Sequence, residues 1–310
     1  MSGHGRTLHR ASEHPLASRF APVRDLQRPP NLRFAFLREG DGLRVEIGDG
    51  ERSAEIPLEW AFGSGTHGVS FVSNIGGGLY LEHAFSYYTK DGVFDLTPGH
   101  RGLPAGSLME GAGQVFRAQG GRDIRGCFRC HSTGPIAFSS RQEIQVAEQG
   151  VLCEACHGPG RAHAAKPGTG SIRNPRSLPA EEQLRFCGSC HRPPGGSEAS
   201  NDFANPWNVR HQPPYLERSA CFQKSGGALS CITCHPPHHP IHRADAAYYS
   251  QKCTGCHNAE QRPPAAACTT GSAPDCTRCH MPEVQPDPRL GFRNHWIGVY
   301  RDGAPLIPVR

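Results

Sequence analysis

Apolar and polar residues alternate along the first third of the chain. The stretch "LRFAFLREGDGLRVEI", residues 32–47, holds two alternating runs around Gly40–Asp41–Gly42, which is the pattern of an antiparallel hairpin. "GVSFVS", "GLYLEHAFSYYT" and "GVFDL" continue the alternation between glycine-rich turns. We therefore predict an antiparallel β domain of about five or six strands over residues 31–105. Residues 1–30 are polar and contain four prolines, and they predict a flexible arm.

Beyond residue 105 the alternation is lost and the chain is rich in glycine and proline. "SSRQEIQVAEQG", residues 139–150, and "PAEEQLRFCGSC", residues 179–190, predict short helices. The second begins with a proline followed by acidic residues, which suit the first turn of a helix. The predicted fold class is α+β with low regular structure. An N-terminal antiparallel β domain precedes short helices and long loops over residues 106–300 and a tail over residues 301–310.

The composition leaves little material for an ordinary hydrophobic core. Hydrophobic residues make up 36% of the 310 positions, and the chain has 37 glycines and 28 prolines. Globular domains usually contain about 45–50% apolar residues. Either much of the chain is disordered, or something other than aliphatic side chains fills its interior.

Fourteen cysteines and eighteen histidines suggest what that filling is. Twelve of the cysteines form six C-x-x-C-H units. They are Cys127–Cys130–His131, Cys153–Cys156–His157, Cys187–Cys190–His191, Cys231–Cys234–His235, Cys253–Cys256–His257 and Cys276–Cys279–His280.

A C-x-x-C-H unit indicates covalent attachment of haem c. The two thiols lie on one side of a helical turn and bond the porphyrin, and the histidine binds its iron as the proximal ligand. A zinc site or a redox dithiol is the alternative for a single unit. Neither explains a histidine directly after the second cysteine in six pairs out of six. We predict six covalently attached haem groups that fill the interior of residues 106–300 and lie close to one another.

The second axial ligands are predicted to be histidines. The chain has only three methionines, Met1, Met109 and Met281, whereas twelve histidines lie outside the motifs. Bis-histidine ligation favours low reduction potentials. The predicted distal ligands are His67, His163, His211, His238 and His295, with His100 the first choice for the sixth position. The alternative at that position is an open, five-coordinate iron. The histidines of the polar arm, His4, His9 and His14, are expected to be solvated.

Several segments resemble the multihaem c-type cytochromes related to the nitrifier tetrahaem cytochrome c and to the tetratricopeptide-linked multihaem cytochromes. The elements are "GSGTH" at 63–67, "CHSTG" at 130–134, "CEACHGPGRAH" at 153–163, "SACFQKSGGALSCITCHPPH" at 219–238 and "CTRCHMP" at 276–282. The resemblance covers roughly residues 60–300, and no tetratricopeptide repeat is visible. It implies respiratory electron transfer outside the cytoplasm, with ligands at His67, His163, His211, His238 and His295.

Charge and targeting signals bear on partners and location. The formal net charge is +5, but each ferric haem would add about one negative charge, so we predict no nucleic-acid partner. No stretch approaches the roughly 20 apolar residues of a membrane span. Haem c attachment requires export, so a periplasmic or extracellular location is expected. No signal peptide is visible in the opening residues, which suggests a mature or trimmed sequence or a start codon placed too far downstream.

Three functions fit these observations. The favoured one is an electron-transfer protein that exchanges electrons with redox partner proteins, a quinol-side donor or a terminal reductase. The second is a multihaem oxidoreductase acting on a small nitrogen or sulfur compound at one five-coordinate haem. The third is a subunit of an extracellular cytochrome filament, which would require self-association. No other catalytic constellation is visible, so the sequence favours a non-enzymatic protein and leaves the enzyme alternative open.

Two cysteines remain outside the motifs, Cys221 and Cys268. In an oxidising compartment they can form a disulfide, and otherwise they are buried thiols.

Overall fold

The structure, a computed structural model, describes residues 3–168, 172–195, 201–242, 245–257 and 275–309. It divides into two units, Met1–Arg173 and Asn174–Arg310. The predicted boundary at residue 105 therefore lies inside the first unit, because the chain continues to pair with the N-terminal strands beyond that point. The first unit contains two of the six motifs and the second contains four.

The first unit consists mainly of antiparallel strands. They are β1 (Leu8–Arg10), β2 (Val23–Arg28), β3 (Leu32–Glu39), β4 (Gly42–Gly48), β5 (Ser53–Pro57), β6 (Trp60–Phe62), β7 (Gly68–Gly76), β8 (Leu79–His83), β9 (Phe85–Tyr88), β10 (Val93–Leu96), β11 (Gly113–Arg117), β12 (Ser132–Phe138) and β13 (Ile144–Gln149). Its α-helices are α1 (Ala17–Phe20), α2 (Leu108–Ala112), α3 (Arg125–His131), α4 (Cys153–His157) and α5 (Arg161–Ala165). Short 3-10 helices cover His4–Arg6 and Ala11–Glu13.

These strands form two larger sheets and one hairpin. β2, β3, β4 and β5 make a four-stranded sheet in chain order. The predicted hairpin is its centre, since β3 and β4 pair from Arg33↔Gly48 to Glu39↔Gly42. A seven-stranded sheet has the order β1-β6-β7-β8-β11 and includes β9 and β10. β12 pairs with β13. The N-terminal β domain is confirmed, and it has more strands than the alternation alone predicted.

The two larger sheets share a hydrophobic core. Alternate residues of β3, including Phe34 and Phe36, are buried and pack with Phe20, Phe71 and Phe85. The rings of Phe34 and Phe85 lie edge to face with their centroids 4.9 Å apart, and those of Phe20 and Phe71 are 5.0 Å apart. Aromatic pairs in this arrangement add stability beyond the area that they bury. This core is built from side chains alone and needs no other group.

A second apolar cluster is formed by residues of the seven-stranded sheet whose side chains point away from the first core. Leu8, Trp60 and Tyr80 are buried together with Phe128, which belongs to α3. Side chains of successive strand residues point to opposite faces, so this cluster lies on the face of the seven-stranded sheet that the first core leaves free. The sheet thereby holds α3, and with it the first C-x-x-C-H unit.

The first thirty residues differ from the predicted flexible arm. Residues 3–30 contain β1, α1 and β2, and Leu8, Ala11 and Phe20 are fully buried in the two clusters. The polar residues between them misled the composition-based prediction, because β1 buries Leu8 while His9 is half-buried and Arg10 is exposed. His14 is also buried rather than solvated. Its Nδ1 accepts a hydrogen bond from the Leu16 amide at 3.0 Å, and its Nε2 lies 3.2 Å from the Gly63 carbonyl.

Residues 139–150 also differ, since they form β13 instead of a helix. Ile144 is buried beside Tyr80, whose hydroxyl accepts a hydrogen bond from the Ile144 amide at 2.7 Å. Pairing with β12 and this contact with the core stabilise the strand, and they outweigh the helical propensity of the isolated segment.

The second unit is built from short helices. They are α6 (Ala180–His191), α7 (Gln212–Glu217), α8 (Ala220–Lys224), α9 (Cys231–Cys234), α10 (Ala246–Thr254) and α11 (Cys276–His280), with 3-10 helices at Pro175–Ser177 and Pro206–Arg210. The predicted helix at residues 179–190 is confirmed as α6. β14 (Glu283–Asp287) and β15 (Leu290–Arg293) form its hairpin. The α+β fold class with low regular structure is confirmed.

Aliphatic burial in the second unit is modest. Among its described residues, two small clusters stand out, one around Leu184, Leu216 and Phe222 and one around Val209, Tyr215 and Val284. None of the described helices is long and apolar enough to span a membrane.

Arg28 links β2 to the segment before β11 and provides a test of the first unit. The side chain is only 4% exposed, and it donates hydrogen bonds to the carbonyls of Leu103 and Gly111 at 3.1 and 2.7 Å. Arg28→Met leaves these buried acceptors unsatisfied and should lower the free energy of unfolding by about 2–3 kcal/mol. Denaturation of the full chain, followed by the strand signal in circular dichroism, measures this. Arg33→Met, at an exposed position of β3, should change stability by no more than about 0.5 kcal/mol. Equal effects of the two variants would contradict this role of Arg28.

Candidate functional site

Each of the six motifs lies on or at the end of a short helix. α3, α4, α6 and α11 end on the motif histidine, α9 ends on the second cysteine of its motif, and α10 ends one residue after the first. Residues three apart on a helix lie on the same face. The local structure therefore presents the paired thiols of each motif on one side and brings the histidine in directly after them, as haem attachment requires.

Helix caps fix where several of these turns begin. Ser230 and Thr233 form a reciprocal capping box at the start of α9. At α11 the Asp275 carboxylate accepts hydrogen bonds from the Arg278 amide and the Thr277 hydroxyl, and these bonds hold the pKa of Asp275 below its usual range. Caps of this kind stabilise a helix by about 1 kcal/mol. These short helices thus begin where their own sequence specifies.

Three of the motif histidines have an orientation that suits iron ligation. The Nδ1 atoms of His131, His157 and His280 lie 3.1, 2.7 and 2.9 Å from the carbonyls of Thr7, Arg173 and Gly298. A carbonyl oxygen only accepts, so Nδ1 carries the proton. The lone pair is then on Nε2 and available to a metal, which is the arrangement found in metal-binding histidines.

The loop after the second motif joins His157 to the predicted ligand His163. Gly158 adopts a φ of 74°, which L side chains rarely adopt, and turns the chain out of α4. The Glu154 carboxylate then accepts a hydrogen bond from the Gly160 amide at 2.7 Å, immediately before α5. His163 lies half-buried on α5. The sequence "CEACHGPGRAH" thus builds a closed turn in which a side chain of α4 holds the start of α5.

The motif helices of the second unit lie against one another. Helix α6, which ends in the third motif, packs against α9 of the fourth, and α10 of the fifth packs against α9 and against α11 of the sixth. Cys187 thereby lies close enough to Cys231, and Cys253 to Cys276, for the thiols of each pair to influence each other's pKa, and burial raises the pKa of Cys253 to about 12. A chain that carried each motif on a separate part of the surface would not bring these thiols together.

His235 and His295 face each other in the second unit. Their ring centroids are 6.1 Å apart with an angle of 36° between the ring planes. Metal–imidazole nitrogen bonds are about 2.0 Å long, so two imidazoles that bind one iron from opposite sides have ring centres about 6 Å apart. The Nδ1 of His295 lies 2.9 Å from the Arg293 carbonyl, which leaves its Nε2 for the metal. Burial, with a smaller effect of the nearby His235 and His191, lowers the pKa of His295 to about 4, so its ring is neutral as a ligand must be.

The other predicted distal ligands occupy varied environments. His67 and His238 are exposed. His211 is half-buried next to the third motif, and burial together with the charges of Arg192 and Arg210 lowers its pKa to about 4. The Nε of Arg210 lies 3.3 Å from the Nε2 of His211. These three assignments, like that of His163, stay predictions.

His100, the first choice for the sixth position, is held by a carboxylate. It is 1% exposed, and its Nε2 lies 3.1 Å from the Glu82 carboxylate. Glu82 is also close to the first motif, since its charge adds to the effect of burial in raising the pKa of Cys127 to about 11. The Nε2 of His100 is thus held by a carboxylate, whereas its Nδ1 is buried with no hydrogen-bond partner among the described residues and is the nitrogen left for a metal.

The residues that sequence reasoning missed act through main-chain atoms or have partners that are far away in the sequence. Thr7 orients His131 through its carbonyl. Ser219 and Asn294 form hydrogen bonds with the main chain on either side of His295. No motif marks a carbonyl acceptor, so no sequence signal pointed to Thr7. Cys221 is a half-buried free thiol in α8, and Cys268 lies outside the described residues, as does any bond between them.

The residues present fit covalently bound haem. Paired thiols on helical turns, histidines with Nδ1 held by carbonyls, and a facing pair of imidazoles at the separation expected for one iron supply the donors that haem c needs. Among the described residues no group of three or more histidine, cysteine, aspartate or glutamate side chains could hold a metal ion on its own.

The fold resembles that of a known cytochrome. The chain aligns with the outer cell wall cytochrome OcwA with a TM-score of 0.51 and 14% sequence identity, over 96% of this chain and 75% of that chain. At this identity the likeness concerns the fold. No family model and no curated protein matches the sequence.

The turn between His157 and His163 gives a test of the second motif. Glu154→Ala removes the acceptor of the Gly160 amide and should speed exchange of that amide with solvent by about tenfold, since one net hydrogen bond is lost. Glu154→Gln retains an acceptor oxygen at the same reach and should exchange at close to the wild-type rate. Hydrogen–deuterium exchange of the intact protein measures both. An unchanged rate in the alanine variant would show that the carboxylate does not hold this turn.

Proposed function

We propose that the protein is a multihaem c-type cytochrome that carries electrons through six covalently bound, mostly bis-histidine haems outside the cytoplasm. The observation that carries the proposal is the contact between motif helices in the second unit, where α6 packs against α9 and α10 packs against both α9 and α11. A haem iron, when bound, supplies one-electron chemistry by changing between ferric and ferrous states. Haems anchored on helices that touch would lie close together, which favours fast electron exchange between them.

The chain's own residues have three tasks in this function. The paired cysteines anchor the porphyrins, the motif histidines offer Nε2 to the irons, and main-chain carbonyls hold those rings in place. Neutral imidazoles on both sides of an iron favour the low potentials expected for a respiratory carrier. None of these tasks requires a catalytic acid, base or nucleophile.

Partners and location follow from the same proposal. The likeness to an outer cell wall cytochrome supports a role outside the cytoplasm, where haem c is attached. Redox partner proteins, a quinol-side donor or a terminal reductase, would then meet the protein at exposed haem edges through small, wet contacts. A filament in which histidines of a mobile N-terminal arm bind the haem of the next subunit is not favoured, because residues 3–30 form strands and helices of the first unit.

Mass spectrometry tests the cofactor content. Protein from a host that attaches haem c should carry six added haem groups, and a reductive titration should take up six electrons per chain. The double variant Cys276→Ala, Cys279→Ala removes the anchors of the sixth motif and should reduce both numbers by one. Fewer than six groups on the wild-type chain would contradict the proposal.

A second function depends on the sixth distal position, for which His100 is the first choice. Because its Nε2 lies 3.1 Å from the Glu82 carboxylate, His100 can bind an iron only through Nδ1, and if it does not, one of the six distal positions has no predicted histidine. An open iron there would allow the protein to act as an oxidoreductase on a small nitrogen or sulfur compound. Carbon monoxide binds only ferrous irons with an open or displaceable position, so this function predicts binding to one of six irons in the reduced protein. If all six irons are low-spin and bind no carbon monoxide, this second function is excluded and electron transfer remains.

A further inference from the structure

His295 lies in a segment whose own secondary structure does not fix its position. β15 ends at Arg293, and residues 294–300 follow without helix or strand. An imidazole that must lie about 6 Å from another ring, centre to centre, cannot be placed by a mobile loop. Something outside the segment has to hold the main chain on both sides of His295.

Ser219 provides such a hold through its side chain. It is fully buried at the N-cap position of α8, where a serine usually accepts a hydrogen bond from its own helix. Here the side chain does not cap α8. Its Oγ donates to the His295 carbonyl at 2.9 Å and accepts from the Ile297 amide at 2.8 Å. One hydroxyl thus forms hydrogen bonds with the main chain at His295 and at Ile297.

Asn294 holds the other side of His295. It is also fully buried, and its Nδ2 donates to the carbonyls of Pro305 and Leu306 at 2.8 and 2.9 Å. Its Oδ1 accepts from the Trp296 amide at 2.9 Å, and its own amide donates to the Pro282 carbonyl at 3.0 Å. The amide side chain therefore has partners for both its donor and its acceptor groups, as a buried asparagine requires.

Trp296 adds a third restraint. The guanidinium of Arg218 lies 4.9 Å from the centre of the Trp296 ring and 4.5 Å from that of Phe203. The two rings are themselves 5.4 Å apart and nearly perpendicular. The positive guanidinium is attracted to the faces of both rings, so these contacts restrain the Trp296 side chain. The residue directly after His295 is thus fixed against α7 and α8 through the neighbouring Arg218.

We infer that Ser219 and Asn294 are positioning residues that hold His295 opposite His235, so that the two imidazoles bind the iron of the fourth motif from both sides. The inference rests on the proposed function and assigns one pair of axial ligands within it. The sequence predicted His295 as a ligand without saying which haem it serves. Ser219 and Asn294 touch neither ring nor iron, and they act on the metal only by fixing the main chain of His295.

The pairing itself is tested by His295→Gly. The variant should convert one iron from low to high spin in electron paramagnetic resonance of the oxidised protein, beyond any high-spin signal of the wild type. Free imidazole should restore the low-spin signal by occupying the vacated position. Removing the fourth haem with Cys231→Ala, Cys234→Ala should abolish this effect of His295→Gly. An additional high-spin iron that persists in the combined variant would assign His295 to another haem and overturn the pairing.

The positioning role is tested by Ser219→Ala. Loss of about one net hydrogen bond should raise the five-coordinate fraction of one iron about tenfold, seen as faster carbon monoxide binding and a shifted potential of one haem. Ser219→Thr keeps the hydroxyl and should retain the wild-type spectrum. Ser86→Ala is the matched control, because Ser86 is equally buried in β9 and bonds two side-chain hydroxyls, of Ser70 and Thr97. Ser86→Ala should lower the free energy of unfolding without changing the carbon monoxide binding or the potential of any haem.

Two results would overturn the inference. Ser219→Ala protein that carries six haems and binds carbon monoxide like the wild type would show that Ser219 does not position a ligand. Equal spectral changes in Ser219→Ala and Ser86→Ala would show a general loss of stability instead. Failure of the proposed function looks different, since the wild-type mass would then lack haem groups before any of these variants is made.

Discussion

An imidazole can offer an iron only one nitrogen, and the hydrogen bond made by its other nitrogen decides where that one points. In this protein the partners are main-chain carbonyls, of Thr7 for His131, Arg173 for His157 and Gly298 for His280. Carbonyls are rigid acceptors that belong to the fold itself. The position of a motif histidine therefore depends on backbone that lies outside its own motif.

The two units that supply these carbonyls are built differently. The first has an aromatic core between two sheets, and the seven-stranded sheet uses its remaining face to seat Phe128 and the first motif. The second unit has short helices, and its described part shows two small apolar clusters. Short helices are marginal by themselves. They are consistent with an interior that the side chains alone leave incomplete and that covalently attached groups would fill.

The amino-terminal segment shows where composition misleads. Its polar residues predicted a flexible arm, yet Leu8 and Phe20 are buried and the Thr7 carbonyl holds His131. A short strand can bury one side chain, here Leu8, leave its neighbours at least partly exposed and still pair with the sheet through its backbone. Residues 139–150 failed in the same way, because pairing with β12 outweighed the helical propensity of the isolated segment. Both errors come from contacts with distant parts of the chain.

The sequence by itself determined the six motifs, the hairpin at Gly40–Asp41–Gly42 and helix α6, since each depends on residues only a few positions apart. The tertiary structure alone decided which distant groups meet. Thr7 lies 124 residues from His131, and Ser219 lies 76 residues from His295. Such contacts join a side chain to a carbonyl or amide that every residue possesses. Residue identity therefore carries no trace of them, and only the folded chain brings the two atoms together.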